Sequence, residues 1–224
     1  MIAVTMENYF NAREVEVAKS IINISLANAA ASFSKLARQK VLLQHVSIPP
    51  VTPDYDLNHI IQSDEKLWVL ITEVRGDLPA ESYLVFTPDN AAAISQLISG
   101  DRDQHSIEYQ EAILLEVDNI LTASVVTQFS NFFQAYLYGD VPGMIHATKS
   151  RTEEILSERL NSFGFRVSFK TCFITENLKI YPEFIWIFTI DFINAIKDLA
   201  SRNNSDQYML EYDQYLKEYV HWSD

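Results

Sequence analysis

The sequence predicts an α/β domain, α+β in its layering, with pseudo-twofold symmetry: two long helices packed on a continuous, largely antiparallel sheet. Three observations predict it. The chain has 224 residues and is 48% apolar, enough to bury a large core and too apolar for disorder. Two long stretches carry apolar residues at helical spacing. The halves also repeat one another: Ser20-x-x-Asn23-Ile24 reappears as Glu116-x-x-Asn119-Ile120, 96 positions later (20 to 116), and Ala27, Phe33 and Ser34 reappear as Ala123, Phe129 and Ser130. Further on, Phe86-Thr87-Pro88-Asp89 matches Phe188-Thr189-Ile190-Asp191, 102 positions later (86 to 188), followed by Ala93-Ile94 with Ala195-Ile196 and Leu97 with Leu199. So small a drift means only a few inserted residues. Repeat one then covers about 12–100 and repeat two about 106–200, within a single domain over 1–202.

The elements follow in order. Over 12–39, Val15, Val17, Ile21, Ile22, Ile24, Leu26, Phe33 and Leu36 recur at helical spacing without glycine or proline. Residues 41–48 read as a strand ended by Pro49-Pro50, and 51–66 as a polar loop. The β-rich runs 67–74 and 81–87 flank Arg75-Gly76-Asp77-Leu78-Pro79, a hairpin turn region, and Asp89 is placed to cap a short helix over 90–99 stopped by Gly100. The second half repeats the order with a helix over 106–135 and a strand over 136–146 broken by Gly139 and Pro142. A helix over 151–162, strands over 165–175 and 183–189, and a last helix opened by Asp191 and running to 200 complete it. The tail, 203–224, carries Tyr208, Tyr212, Tyr215, Leu216, Tyr219 and Trp222 at spacings of three and four, which predicts an amphipathic helix. Such a helix would pack on its own domain or grip a partner or a second copy, as in a homodimer.

Composition excludes several classes of function. A net charge of -13, from 17 basic and 30 acidic residues, offers no electrostatic footprint for nucleic acid or an anionic membrane surface. The first residues lack the basic-then-apolar order of a secretory signal, and no apolar run is expected to approach the roughly 20 residues of a membrane span. A cytoplasmic protein is expected. The single cysteine, Cys172, lies in a strand-like run and reads as an inert buried thiol. His45, His59, His105, His146 and His221 stand at no familiar ligand interval, so no metal site is expected. The five glycines form no phosphate-cradling loop, and Asp54, Asp56 and Asp64 are too sparse for calcium.

Glu116 and Asn119 stand three apart and therefore on one helix face. The stripe continues through Ala112, Ala123 and Thr127, all short; in the earlier copy it reads Glu16, Ser20, Asn23, Ala27 and Ala30 or Ala31. No basic residue occurs over 109–135 and no charge at all over 20–34, unlike an ordinary solvated face. Flat, small-residue stripes admit the backbone of another protein. An asparagine amide can orient a water for in-line attack, because it both donates and accepts. A carboxylate beside it can act as a base or grip a lysine. Neither binds a metal well alone, so phosphoryl chemistry here needs a metal brought by the substrate. The spacing alone is weak evidence, since Glu158-x-x-Asn161 repeats it without a proline at the matching distance.

Glu116-x-x-Asn119, the twenty-two-residue interval to Pro142, the earlier helix with Asn23-Ile24 and Asn28-Ala29-Ala30, and the repeated strand–strand–helix order together resemble the CheC/CheX/FliY phosphatases of bacterial chemotaxis. The likeness spans roughly 14–200. It implies a CheC-like domain that dephosphorylates the phospho-aspartate of a CheY-type response regulator. The Glu would contact the regulator's active-site lysine and the Asn would position the water; these roles fall on Glu116 and Asn119. The protein would need no cofactor of its own, since the regulator brings Mg²⁺, and a CheD-like deamidase is a further partner to consider. This chain departs from the pattern at Ala112, where the family often has Asp or Ser, and at Ser20, where two-site members have a second Glu. Pro49 lies three residues beyond the distance from Asn23 that matches Pro142, and Ile22, Ser25 and Ala27 replace common glycines. One active site is therefore expected, with Ser20 and Asn23 a degenerate second. The competing expectation is a non-enzymatic docking module that binds a regulator without turnover.

Overall fold

A computed structural model describes residues 10–44, 65–99, 106–163, 165–170, 172–174, 179–180 and 182–202. Its elements, in chain order, are α1 (Ala12–Ala37), β1 (Leu42–Gln44), β2 (Leu67–Gly76), β3 (Ala80–Phe86), α2 (Pro88–Ser99), α3 (Ile107–Phe133), β4 (Leu137–Gly139), β5 (Gly143–Ala147), α4 (Lys149–Phe163), β6 (Phe165–Lys170), β7 (Cys172–Ile174), β8 (Lys179–Ile180), β9 (Glu183–Phe188) and α5 (Ile190–Ser201). The main sheet has six antiparallel strands in the order β4-β2-β3-β9-β6, with β5 also on β2. The sequence predicts one continuous, largely antiparallel sheet; the main sheet is antiparallel but does not take in every strand. The expected 165–175 strand is divided: β6 pairs with β9, whereas β7 pairs with β1 and β8 in a separate three-stranded sheet. The rest of the 41–48 strand, the 51–64 loop with Asp54, Asp56 and Asp64, and the 203–224 tail lie outside the described residues.

Pseudo-symmetry is visible in how strands are exchanged. β3 and β9 pair antiparallel in the middle of the sheet. β4 and β5 of the second half pair with β2 of the first, and β1 of the first pairs with β7 of the second. Helix ends repeat at the same offsets as the sequence. The C-caps Arg38 (φ 52°) and Gln134 (φ 53°), both left-handed, are equivalent positions, and Ser34 and Ser130 before them each hydrogen-bond into the chain that leaves the helix. α1 opens with a capping box from Asn11 and Glu14, and α3 with Ser106 accepting from the Tyr109 N–H. Asp89 does not cap α2. The helix starts one residue earlier than Asp89, and the Thr87 hydroxyl accepts from the Asn90 N–H at 3.3 Å, with Pro88 in the first helical position where its missing N–H is harmless.

Strand alternation divides the core. Trp68, Leu70 and Val74, with Leu84, Phe86, Phe184, Trp186 and Phe188, join α1, α3 and α5, while Leu67, Val69, Tyr83, Val85, Ile185 and Ile187 join Leu156 of α4 on the other face. Gly76 has φ 116°, and a Cβ there would lie 1.9 Å from the Tyr136 carbonyl oxygen, so only glycine fits where β2 runs beside the start of β4. α3 is long and apolar enough to span a membrane by length and composition, contrary to the expectation from the sequence. Its inner side, from Ile113 and Leu114 to Phe129 and Phe132, is buried within the fold, as a core helix requires.

Phe129 is the hub of the larger cluster. Its ring centroid lies 5.6 Å from Trp186, 5.8 Å from Phe188 and 5.3 Å from Phe192, each edge-on. Phe129→Ala is expected to lower unfolding stability by about 3–5 kcal/mol in urea titrations, through lost burial and a residual cavity; a loss under about 1 kcal/mol would contradict this packing role.

Candidate functional site

The outer stripe of α3 is exposed along its whole length: Ala112, Glu116, Asn119, Ala123 and Thr127 all face solvent. Beside it the 139–142 loop forms a second wall, and between them lies a groove of about 320 Å³ lined by Ala112, Glu116 and Asn119 on one side and Pro142 on the other. The interval from Asn119 to Pro142 has a physical basis. From Asn119 to the helix end at Phe133 the chain rises ~21 Å at 1.5 Å per residue. After the left-handed turn at Gln134, eight extended residues can return up to ~26 Å. Pro142 therefore comes back level with Asn119.

The second wall is an excursion from the sheet. β4 ends with Gly139 opposite Val74 and β5 begins with Gly143 opposite Ile71, so Asp140, Val141 and Pro142 bulge out beside Thr72 and Glu73. The Asp140 N–H donates to the Glu73 carbonyl at 2.7 Å, and the Val141 N–H donates to Asp140 Oδ1 at 2.9 Å. Arg75 bridges the Glu73 carboxylate at 3.0 Å and the Asp140 carboxylate at 2.9 Å. These ion pairs are solvent-exposed and contribute about 0–1 kcal/mol each, so the backbone bond is the firmer restraint. Val141, in the groove lining, is 85% exposed; Tyr136 and Tyr138, on the stretch that leads into the 139–142 loop, are also exposed, with ring centroids 5.5 Å apart.

Beneath the groove lies a buried polar layer that the sequence reading did not single out. Asp118, next to Asn119 but facing the sheet, has 0% exposure; its Oδ2 accepts from the Thr72 hydroxyl at 2.6 Å, and its Oδ1 has no hydrogen-bond partner among the described residues. One turn on, Thr122 Oγ1 shares a 3.1 Å hydrogen bond with Ser82 Oγ. Thr72 and Ser82 are direct cross-strand neighbours, so a polar pair on the sheet meets a polar pair on the helix. The available signal was a mismatch of pattern: Asp118 and Thr122 occupy the buried side of α3 with Leu114, Leu121 and Val125.

The earlier copy is closed. Ser20 is 3% exposed and its hydroxyl donates to the Glu16 carbonyl at 2.9 Å; Ala27 and Ala30 are buried and Asn23 is half-buried. Ser20 and Asn23 thus form no counterpart of the open Glu116/Asn119 stripe, and Pro49 lies outside the described residues. Glu158 is exposed on α4 and lies 4.0 Å from Arg151. His146 Nε2 lies 2.9 Å from Glu111 Oε1, with its ring edge-on to Trp68, and the other four histidines are outside the described residues. Among the described residues, no group of three or more His, Cys, Asp or Glu could hold a metal ion.

Solved structures share this architecture. FliY from Thermotoga maritima aligns with a TM-score of 0.60 at 15% identity, covering 86% of this chain and 98% of that one. The fold is that of the CheC/CheX/FliY family. A chain of the FliM–SpeE complex from H. pylori aligns at a TM-score of 0.58 and 11% identity over 87% of this chain and 98% of that one. A chain of the CheX–CheY–BeF3–Mg²⁺ complex from Borrelia burgdorferi gives 0.50 and 12% over 74% and 95%. No protein-family model and no curated protein matches the sequence. On this CheC/CheX/FliY fold, the groove is formed by the second of the two long helices and the bulge that returns beside it.

The polar layer makes stability depend on pH. Burial pushes the Asp118 carboxyl up to about 7, while the hydroxyls of Thr72 and Thr122 pull it down. The folded chain therefore holds this proton more tightly than the unfolded chain. Its stabilising contribution is full below the ordinary aspartate range of ~4. It falls as pH rises towards about 7 and is absent above that. Asp118→Asn cannot ionise and is expected to flatten this decline. Urea midpoints from about pH 5 to about pH 8 check it, and a pH-independent difference between wild type and variant would contradict it.

Proposed function

We propose that this protein hydrolyses the phospho-aspartate of a CheY-type response regulator at the groove between α3 and the 139–142 loop. The observation that carries the reading is the open stripe: Glu116 and Asn119 are exposed side by side facing Pro142, whereas the equivalent stripe on α1 is shut. The shared fold with FliY and with a chain of the CheX–CheY complex supports it.

Asn119 presents an amide that accepts one hydrogen bond and donates others, which suits holding a water in line with the acyl-phosphate bond. Attack at phosphorus forms the bond to the water oxygen, breaks the bond to the aspartyl oxygen, and releases phosphate and a free carboxylate. Glu116, one turn earlier, grips the regulator's active-site lysine through a charge-assisted hydrogen bond and so fixes the docking register. The regulator supplies both the phosphoryl group and its Mg²⁺, so the contribution of this chain is mainly positioning. Ala112 and Ala123, short and exposed, leave room for the regulator's backbone. The net charge of -13 gives no long-range attraction to an acidic phosphorylation site, and association rests on local fit. On this reading the protein works in the cytoplasm, beside its regulator.

A second reading, a docking module without turnover, is favoured by the exposed apolar side chain of Val141 in the groove wall. Phosphate release from a phosphorylated regulator with Mg²⁺ separates the two. The wild type is expected to turn over at substoichiometric amounts, Asn119→Ala to lose about 10²-fold or more, Glu116→Ala about 10-fold or more, and Glu158→Ala to match the wild type. Equal rates in all four proteins would remove the catalytic assignment. Binding without any phosphate release would favour the docking module.

A further inference from the structure

We infer that Asp118 is a positioning residue for the groove: through Thr72 it holds the helix bearing Glu116 and Asn119 at a fixed separation from the 139–142 wall. The kinetic consequence rests on the phosphatase reading above; the geometric one stands without it.

Thr72 is the link between the two walls. On one side its hydroxyl donates to Asp118 Oδ2 at 2.6 Å, in the residue directly before Asn119. On the other, Thr72 lies on β2 between Ile71, which pairs with Gly143, and Val74, which pairs with Gly139, so it sits where the bulge leaves and rejoins the sheet. The floor of the groove rests on the same layer: a Cβ at Gly139 would lie 3.5 Å from Thr72 Cγ2 and 3.8 Å from Thr122 Cγ2. Thr122 in turn is tied to Ser82 on β3. A short hydrogen bond to a carboxyl oxygen is directional, whereas apolar burial is not. The layer therefore fixes where α3 stands along and around its own axis.

Stability alone does not account for an acid here. Asp118 is fully buried, and one of its oxygens has no partner among the described residues, whereas Leu114 and Leu121 on the same side of the helix bring no polar group to satisfy. Directional anchoring is what the Asp118 carboxyl group adds.

The test uses the full chain with Thr72→Val, which keeps the shape and removes the hydroxyl, Thr72→Ser, which keeps the hydroxyl, and Asp118→Leu. Two measurements are made on each: kcat and KM for a phosphorylated regulator with Mg²⁺, and the distance distribution between spin labels at Ala123→Cys and Val141→Cys in a Cys172→Ser background. Thr72→Val and Asp118→Leu are expected to lower kcat at least about tenfold with KM within about twofold, and to broaden the distance distribution; Thr72→Ser is expected to restore both. A Thr72→Val protein that folds and keeps its kcat within about twofold, or keeps a distribution as narrow as wild type, overturns the inference. If the wild type itself releases no phosphate, the proposed function fails, and the width of the distance distribution alone decides the role of Asp118.

Discussion

The seating of α3 on the sheet is the constraint from which the groove follows. Its inner side is buried from Leu114 through Val117, Leu121 and Val125 to Phe129 and is locked by the hydrogen bond from Thr72 to Asp118. Once that side is fixed, the 3.6-residue repeat leaves Ala112, Glu116, Asn119, Ala123 and Thr127 no choice but to face outward. A rotation by one residue, about 100°, would carry the Asn119 amide off the groove and take the Asp118 carboxyl away from the Thr72 hydroxyl. Helix rotation, loop position and site geometry are thus one problem, solved in the core rather than at the surface.

Duplication explains the frame, and divergence explains why the groove lies on α3. Both long helices keep the same length to within a residue, the same left-handed C-cap and the same serine before it, because those features hold any such helix against the sheet. The outer stripes have parted. On α1, Ser20 turns its hydroxyl back to its own helix at Glu16, and the alanines after it are buried. On α3 the stripe remains open and gains a wall from the 139–142 bulge. The symmetry-related stripe is taken up by packing at Ser20, Ala27 and Ala30, so of the two equivalent stripes the one on α3 is open.

Much of the fold was legible because it rests on local chemistry. Helical spacing gave α1 and α3 nearly to their ends, β-rich runs gave β2, β3 and β9, and the repeated offset paired α2 with α5. The groove was partly legible too. Glu116, Asn119 and Pro142 could be grouped from their intervals, and the structure brings all three to one place. What escaped was decided across the chain. The separate β1-β7-β8 sheet depends on which partners each strand finds, and the capping of α2 by Thr87 depends on where Pro88 enters the helix. The Asp118 layer escaped for the same reason: an acid at an apolar position is interpretable only when Thr72 and Ser82, about 40 residues away, are seen opposite it.

The central claim is that the groove, and Asn119 in it, engages the phosphorylation site of a response regulator. The most direct measurement is a crystal structure of this chain bound to a regulator carrying beryllofluoride and Mg²⁺, which stand in for the phosphoryl group and its metal. The regulator is expected to seat across α3 with the Asn119 amide within hydrogen-bond distance of a water or fluoride in line with the aspartyl oxygen, and with Glu116 on the regulator's lysine. A complex seated elsewhere, with Asn119 open to solvent, would contradict that claim.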